Sequence, residues 1–300
     1  MDVEHRLIYI VRSIQQAIYL AGRRHRHSHP PATMTMIRWC WTGEHGARKA
    51  AGTDAAAPAS ASNVALVVGA TGIVGIALPP SPSSVTHIHA DFTDSAAAVA
   101  AALTDDITHV FYAALSSWRG STGADHAMLR NVLSDVVAHN CPALAHVCLL
   151  HSGGRGQFVD PFEPFTGISQ DLPRLEFPDL EDVLLNELPG FVVASRRDRA
   201  AVTWSVHRPA TVAAGFSPHS AGNVLASLCV YAAICRKEGA AALRWPGSRA
   251  AWEGLSDASV AELVAEHALW AALELNGKNK VFNCTNRDVF RWKELRPTLA

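Results

Sequence analysis

Lysine is missing from the whole stretch between Lys49 and Lys237, and tyrosine from the stretch between Tyr112 and Tyr231. The 300-residue chain has only five lysines and four tyrosines in all, so chemistry in its middle that needs an ammonium or a phenol must find another group. Charge of one sign is missing too. Lys plus Arg number 26 against 27 Asp plus Glu, a formal net charge of −1, which leaves no global field to hold a nucleic acid or an anionic membrane. The expected partner is a small neutral or anionic molecule. The six cysteines, Cys40, Cys141, Cys148, Cys229, Cys235 and Cys284, form no Cys-x-x-Cys pair and no dense spacing, which argues against a zinc site or a disulfide framework. They read as buried free thiols in a reducing compartment, and no metal site is expected.

A long apolar run is also absent. Leu7, Ile8, Ile10, Val11, Ile14, Ile18 and Leu20 could line one helix face, but Arg12, Gln15 and Gln16 interrupt any segment able to cross a bilayer. Residues from His5 to Gly43 include no acid. This basic stretch reads as an extension of a cytoplasmic protein, with an organelle transit peptide over residues 1–35 as the alternative and Met36 as an alternative start. The run Arg24-His25-Arg26-His27-Ser28-His29 reads as a solvated basic tail. With the Ala/Ser/Pro-rich linker from Ala50 to Ser62, residues 1–62 are expected to be disordered and to precede a folded domain over 63–300.

What is present is a strand, a glycine turn and a helix in immediate succession. Asn63–Val68 is a buried-strand run, followed by Gly69-Ala70-Thr71-Gly72-Ile73-Val74-Gly75. That order converts a weak glycine motif into a dinucleotide-binding hypothesis. Gly69 permits the tight turn, Gly72 lets backbone approach a pyrophosphate, and Gly75 lets helix pack on strand. Pro79, Pro80 and Pro82 keep the first helix short. Val85–Ala90 then reads as a strand ending at Asp91, about 20 residues past the glycines, where spacing alone predicts an acid on the adenine ribose and favours NAD. Alternating runs follow: a helix at Ser95–Leu103, strand Thr108–Ala114, helix Ala127–His139, strand Ala145–Leu150, helix Leu180–Leu188, strand Thr203–Val206, helices Asn223–Cys235 and Ser259–Leu273, and strand Val281–Cys284. The fold class is α/β, a Rossmann-like doubly wound parallel sheet.

The segments GATGIVG, HADFTD (His89 to Asp94), THVFYA (Thr108 to Ala113), MLRNVL (Met128 to Leu133), DLEDVLL (Asp179 to Leu185), TWSVHRP (Thr203 to Pro209), LCVYAAICRKEG (Leu228 to Gly239) and AAWEGLSDAS (Ala250 to Ser259) together resemble the plant progesterone 5β-reductase and iridoid synthase family. This is a branch of the extended short-chain dehydrogenases, and the resemblance runs from Met36 to Ala300. It implies an NADP-dependent oxidoreductase in which NADPH gives hydride to the β-carbon of a small enone or enal, and a hydroxyl donor stabilises the developing enolate. It implies cofactor contacts at Gly69, Thr71, Gly72, Ile73, Gly75, Asp91, Phe92, Ala114, Val212 and Ser220. A homodimer is compatible with it.

The resemblance also shows what is not kept. The family's tyrosine lies in a run that the simplest alignment deletes before Asp179; an ungapped alignment puts Phe177 there. The family's lysine position falls on Arg155, in Ser152-Gly153-Gly154-Arg155, where the charge is kept without the compact ammonium geometry. The arginines that hold the NADP 2′-phosphate, on a second strand, have no counterpart in Ile76–Ser84, so NAD(H) is admitted beside NADP(H). On this reading Val85–Ala90 is the third strand, the second is lacking, and the C-terminal substrate part is reduced. Three readings stand: a reductase working with altered groups, a non-catalytic Rossmann dinucleotide-binding or interaction protein, and a truncated paralogue without function.

Overall fold

The computed structural model describes residues 34–41, 63–70, 72–78, 85–90, 104–114, 122–134, 141–151, 180–195, 202–214, 224–240, 242–285 and 289–294. Strands are β1 (Met34–Trp41), β2 (Asn63–Val68), β3 (Val85–Ala90), β4 (His109–Tyr112), β5 (His146–Leu150), β6 (Thr203–Pro209), β7 (Thr211–Ala214), β8 (Leu255–Ser256), β9 (Ala258–Val260), β10 (Lys280–Cys284) and β11 (Phe290–Arg291). Helices are α1 (Ile73–Ala77), α2 (Thr122–Val132), α3 (Leu180–Ser195), α4 (Val224–Lys237), α5 (Arg249–Glu253) and α6 (Ala261–Leu273).

The main sheet runs β10-β6-β5-β4-β2-β1-β3. From β2 to β10 all five strands are parallel. Parallel strands need helices on both faces, so their sequences are apolar in both phases. β2 shows this: Leu66 and Val68 belong to a core shared with Met128, Leu129, Val183 and Leu184. Ala65 and Val67 point the other way, into a core with Phe111, Cys148, Val264 and Ala268. One sheet face is thus covered by α2 and α3, the other by α6 and α1. α6 buries Ala261, Val264, Ala265, Ala268, Ala271 and Ala272, a stripe at helical spacing whose small side chains let helix and sheet approach closely.

The expectation that residues 1–62 stand outside the domain fails for Met34–Trp41. β1 pairs antiparallel with β2, Ile37 opposite Val67, and antiparallel with β3, Ile37 opposite His87. β3 therefore does not pair with β2. The place of the second strand, which the resemblance implies to be lacking, is taken by a strand from upstream. Physically, β2 would otherwise present a row of unpaired backbone groups, and any strand within reach gains a full ladder there. The helix predicted over Leu180–Leu188 also runs further, through Pro189 to Ser195. Its first nine residues include the buried anchors Leu180, Val183, Leu184 and Leu188. The helix predicted over Ser95–Leu103 lies outside the described residues.

Candidate functional site

The C-terminal end of β2 runs into the turn that the glycine pattern predicts. Gly69 has φ 85°, a left-handed conformation that disfavours side chains, and a Cβ there would stand 2.7 Å from the Ala113 carbonyl oxygen. The Ala113 amide in turn donates to the Val68 carbonyl at 2.9 Å, so the end of β4 is clamped against the turn. Gly72 donates its N–H to the Gly69 carbonyl at 2.9 Å and opens α1 without a side-chain cap. A Cβ on Gly75 would lie 2.2 Å from the Gly69 oxygen and 2.9 Å from the Ala70 Cα. Gly75 is therefore a contact point between helix and turn.

The structure brings Gly69, Gly72, Gly75 and Ala114 together, with Ala114 buried behind the turn and Ile73 opening α1. Val212 lies on β7, paired with Ser259 of β9. Thr71, Asp91, Phe92, Arg155, Phe177, Ser152 and Ser220 lie outside the described residues. Tyr112 ends β4 but offers nothing to a substrate: it is fully buried in the α2/α3 core, and burial pushes its phenol pKa up.

Charged and polar groups that the motifs did not single out gather around β5 and β6. Glu181, 1% exposed, accepts from Arg208 Nε and a terminal guanidinium nitrogen, both at 2.5 Å. This bidentate pair ties the start of α3 to the end of β6. An acid in a helix's first turn is favourable in any helix, so Glu181 carries no local mark of this pair. On the α6 face, alternate residues of the strands form a polar row. His146 contacts Thr203 Oγ1 and Ser205 Oγ at 2.9 Å each, and Ser205 Oγ reaches His207 Nε2 at 3.0 Å. His207 Nδ1 meets His267 Nδ1 of α6 at 2.9 Å, and Cys284 Sγ lies 3.4 Å from the second and 3.6 Å from the first. Burial pushes His109 down to about 4 and His146 and His207 to about 3, so all three are neutral imidazoles at neutral pH. Burial likewise pushes the Cys284 thiol up to about 12. The readable signal was the period of two, His146 and Cys148 on one strand, Thr203, Ser205 and His207 on the next. Elsewhere, Trp245 packs between Trp252 and Trp292 and with Leu228 and Tyr231 lines a separate cavity.

A parallel sheet with a glycine turn at the C-terminal end of its first parallel strand defines a Rossmann-type protein, the class built to hold dinucleotides. Within that class the particular family is also given. The family model "PRISE-like Rossmann-fold domain" matches residues 86–300, and the chain belongs to that family. It is 39% identical over 305 residues to an (S)-8-oxocitronellyl enol synthase of Nepeta racemosa, covering 88% of this chain and 75% of the relative. A 3-oxo-Delta(4,5)-steroid 5-beta-reductase of Arabidopsis thaliana is 36% identical with the same coverage. Among solved structures, MoeE5 in complex with UDP-glucuronic acid and NAD superposes with TM-score 0.52 at 18% identity, over 78% of this chain and 80% of that one. The epimerase Mth375 of Methanothermobacter thermautotrophicus superposes with TM-score 0.54 at 16% identity, over 78% and 74%. These two speak for the fold alone. No helix among the described residues is long and apolar enough to cross a membrane.

Proposed function

We propose that the chain binds a reduced nicotinamide dinucleotide at the Gly69–Gly75 turn and acts on a small enone or enal, with a catalytic step weaker than that of its relatives. The observation that carries the reading is the turn itself. Its left-handed Gly69 and the close approach of Gly75 to the Gly69 carbonyl keep backbone at the β2 end free of side chains, which is what a pyrophosphate needs. The fold and the family supply the rest. Gly69, Gly72 and Ala114 hold the dinucleotide, with Ile73 and Val212 beside it and Thr71, Asp91, Phe92 and Ser220 added from the resemblance. NADPH is the expected form by resemblance, and NADH is admitted beside it because Ile76–Ser84 holds no counterpart of the 2′-phosphate arginines.

When bound, the nicotinamide supplies hydride to the β-carbon of the conjugated system. The chain's part is to stabilise the enolate oxygen. Arg155 supplies positive charge there, and Ser152, a backbone amide or water supplies the hydrogen bond. Loss of a positioned acid–base group costs roughly 10²- to 10⁴-fold in rate. Since no tyrosine lies between Tyr112 and Tyr231 and Tyr112 is sealed in the core, a second reading is favoured by the same residues: a binding module that holds the dinucleotide without turnover. The domain boundary belongs to the proposal as well, with the folded unit taken as 63–300 plus β1, in a cytoplasmic protein.

The test is NADPH oxidation with a small enone, in the unmodified chain and in Phe177→Tyr. Slow turnover that rises in the variant supports the reductase. Saturable dinucleotide binding with no turnover in either supports the module, and no binding ends both.

A further inference from the structure

We propose that His207, His267 and Cys284 form a metal site for a borderline-soft divalent ion, zinc above all. The three come from separate elements: His207 from β6, Cys284 from the neighbouring parallel β10, and His267 from α6, which packs on β6. Their separations of 77, 60 and 17 residues along the chain explain why cysteine spacing gave no sign of them.

The ligand atoms are close to coordination geometry. Tetrahedral zinc, with bonds of about 2.0–2.1 Å to imidazole nitrogen and about 2.3 Å to sulfur, sets its ligand atoms roughly 3.3–3.6 Å apart. Cys284 Sγ already lies 3.4 Å and 3.6 Å from the two Nδ1 atoms, and these lie 2.9 Å from each other. Opening the nitrogen pair by about half an ångström completes three sides of a tetrahedron. The supports are in place. A metal-ligating histidine usually has its other ring nitrogen bonded to an oxygen, which fixes the tautomer; His207 Nε2 has Ser205 Oγ at 3.0 Å. Cys284 is held by the β6 ladder, opposite Pro209, and by Ser259 Oγ, which donates to its carbonyl at 2.6 Å. The His267 ring is set edge-on to Phe282 at 4.7 Å and stacked on Trp270 at 5.4 Å.

His207 is buried while His267 and Cys284 are half-buried, so three protein ligands would leave a fourth position for water or an added ligand. Thiolate with imidazoles selects zinc and its neighbours over magnesium or calcium. Binding deprotonates the thiol: one S–H bond breaks, one S–metal bond forms, and one proton per ion passes to solvent. The bound ion would fasten the C-terminal ends of β6 and β10 to α6.

The full chain, stripped of metal, is titrated with Co²⁺ and then Zn²⁺. The site predicts one Co²⁺ per chain with the visible bands of a tetrahedral ion and a thiolate-to-cobalt charge-transfer band, displaced by Zn²⁺ and absent in Cys284→Ser. His267→Gln, at a half-exposed helical position, keeps the thiol and weakens binding by at least about tenfold, the scale on which losing even a supporting partner acts. A wild-type spectrum without the thiolate band, as an ion held by other histidines such as the His25, His27 and His29 run would give, overturns the site. So does a band that survives Cys284→Ser or an affinity unchanged in His267→Gln.

Discussion

Lowering the pH from about 6.5 to about 4.5 should strip stability from this protein faster than its carboxylates alone account for. His109, His146 and His207 sit on one sheet face, at most 5% exposed, and burial holds their pKa values at about 4, 3 and 3. In the unfolded chain each titrates near its ordinary value of about 6.5. Below that value the unfolded state takes up protons that the folded state refuses, so stability present above pH 6.5 drains away as pH falls toward the folded values. Each histidine contributes about 1.4 kcal/mol per pH unit in that window, and the three together about 4 kcal/mol per unit. Against a domain stability of about 5–15 kcal/mol, two units are enough to approach acid unfolding. Urea denaturation at a series of pH values gives the slope. His146→Gln keeps a side chain able to bond Thr203 and Ser205 but does not titrate, and should lower the slope by about 1.4 kcal/mol per unit. An unchanged slope in that variant, or histidine ring signals that titrate near pH 6.5 in the folded protein, would refute the reasoning.

Glu181→Ala removes the buried carboxylate that Arg208, 11% exposed, holds by two hydrogen bonds, and should cost about 3–5 kcal/mol by chemical denaturation. Disrupting the partly exposed Arg130–Glu187 pair should cost at most about 1 kcal/mol in the same assay. Tyr112→Phe removes a buried hydroxyl that has no hydrogen-bond partner among the described residues. It should therefore be neutral or stabilising by about 1 kcal/mol, and a loss above about 2 kcal/mol would mean the hydroxyl is bonded. Ile37→Pro breaks the ladder that joins β2 to β3; hydrogen exchange should show the amides of Thr86 and Ile88 losing protection while those of Val147 and Leu149 keep theirs.

The legible parts of the fold were those whose signal is local. Asn63–Val68 is apolar in both phases and stops at a glycine, so strand, turn and the need for helices on both faces follow from adjacent residues. The strand predicted at Thr203–Val206 could be placed, though it runs on to Pro209, but not understood: Ser205 and His207 acquire meaning only beside His146, 59 and 61 positions away in chain order for the first and second. β1 was the least legible element. Arg38 interrupts its apolar residues and it lies in a basic, acid-poor stretch, which reads as an extension; its strand character comes from two partners, Asn63–Val68 and Val85–Ala90, that the local pattern does not reveal. The same holds for the site. Gly69 and Gly75 are readable because a left-handed turn and a backbone contact demand glycine. Glu181 is not, since a first-turn acid and a buried ion-pair partner look alike until Arg208 arrives from another strand.

Titration of the purified full chain with NADPH and with NADH, followed by the fluorescence of the reduced nicotinamide, tests the central claim most directly. A dinucleotide held at the Gly69–Gly75 turn gives saturable binding that is lost in Gly69→Val, where a side chain meets the Ala113 carbonyl. Absence of saturable binding with both nucleotides would contradict it.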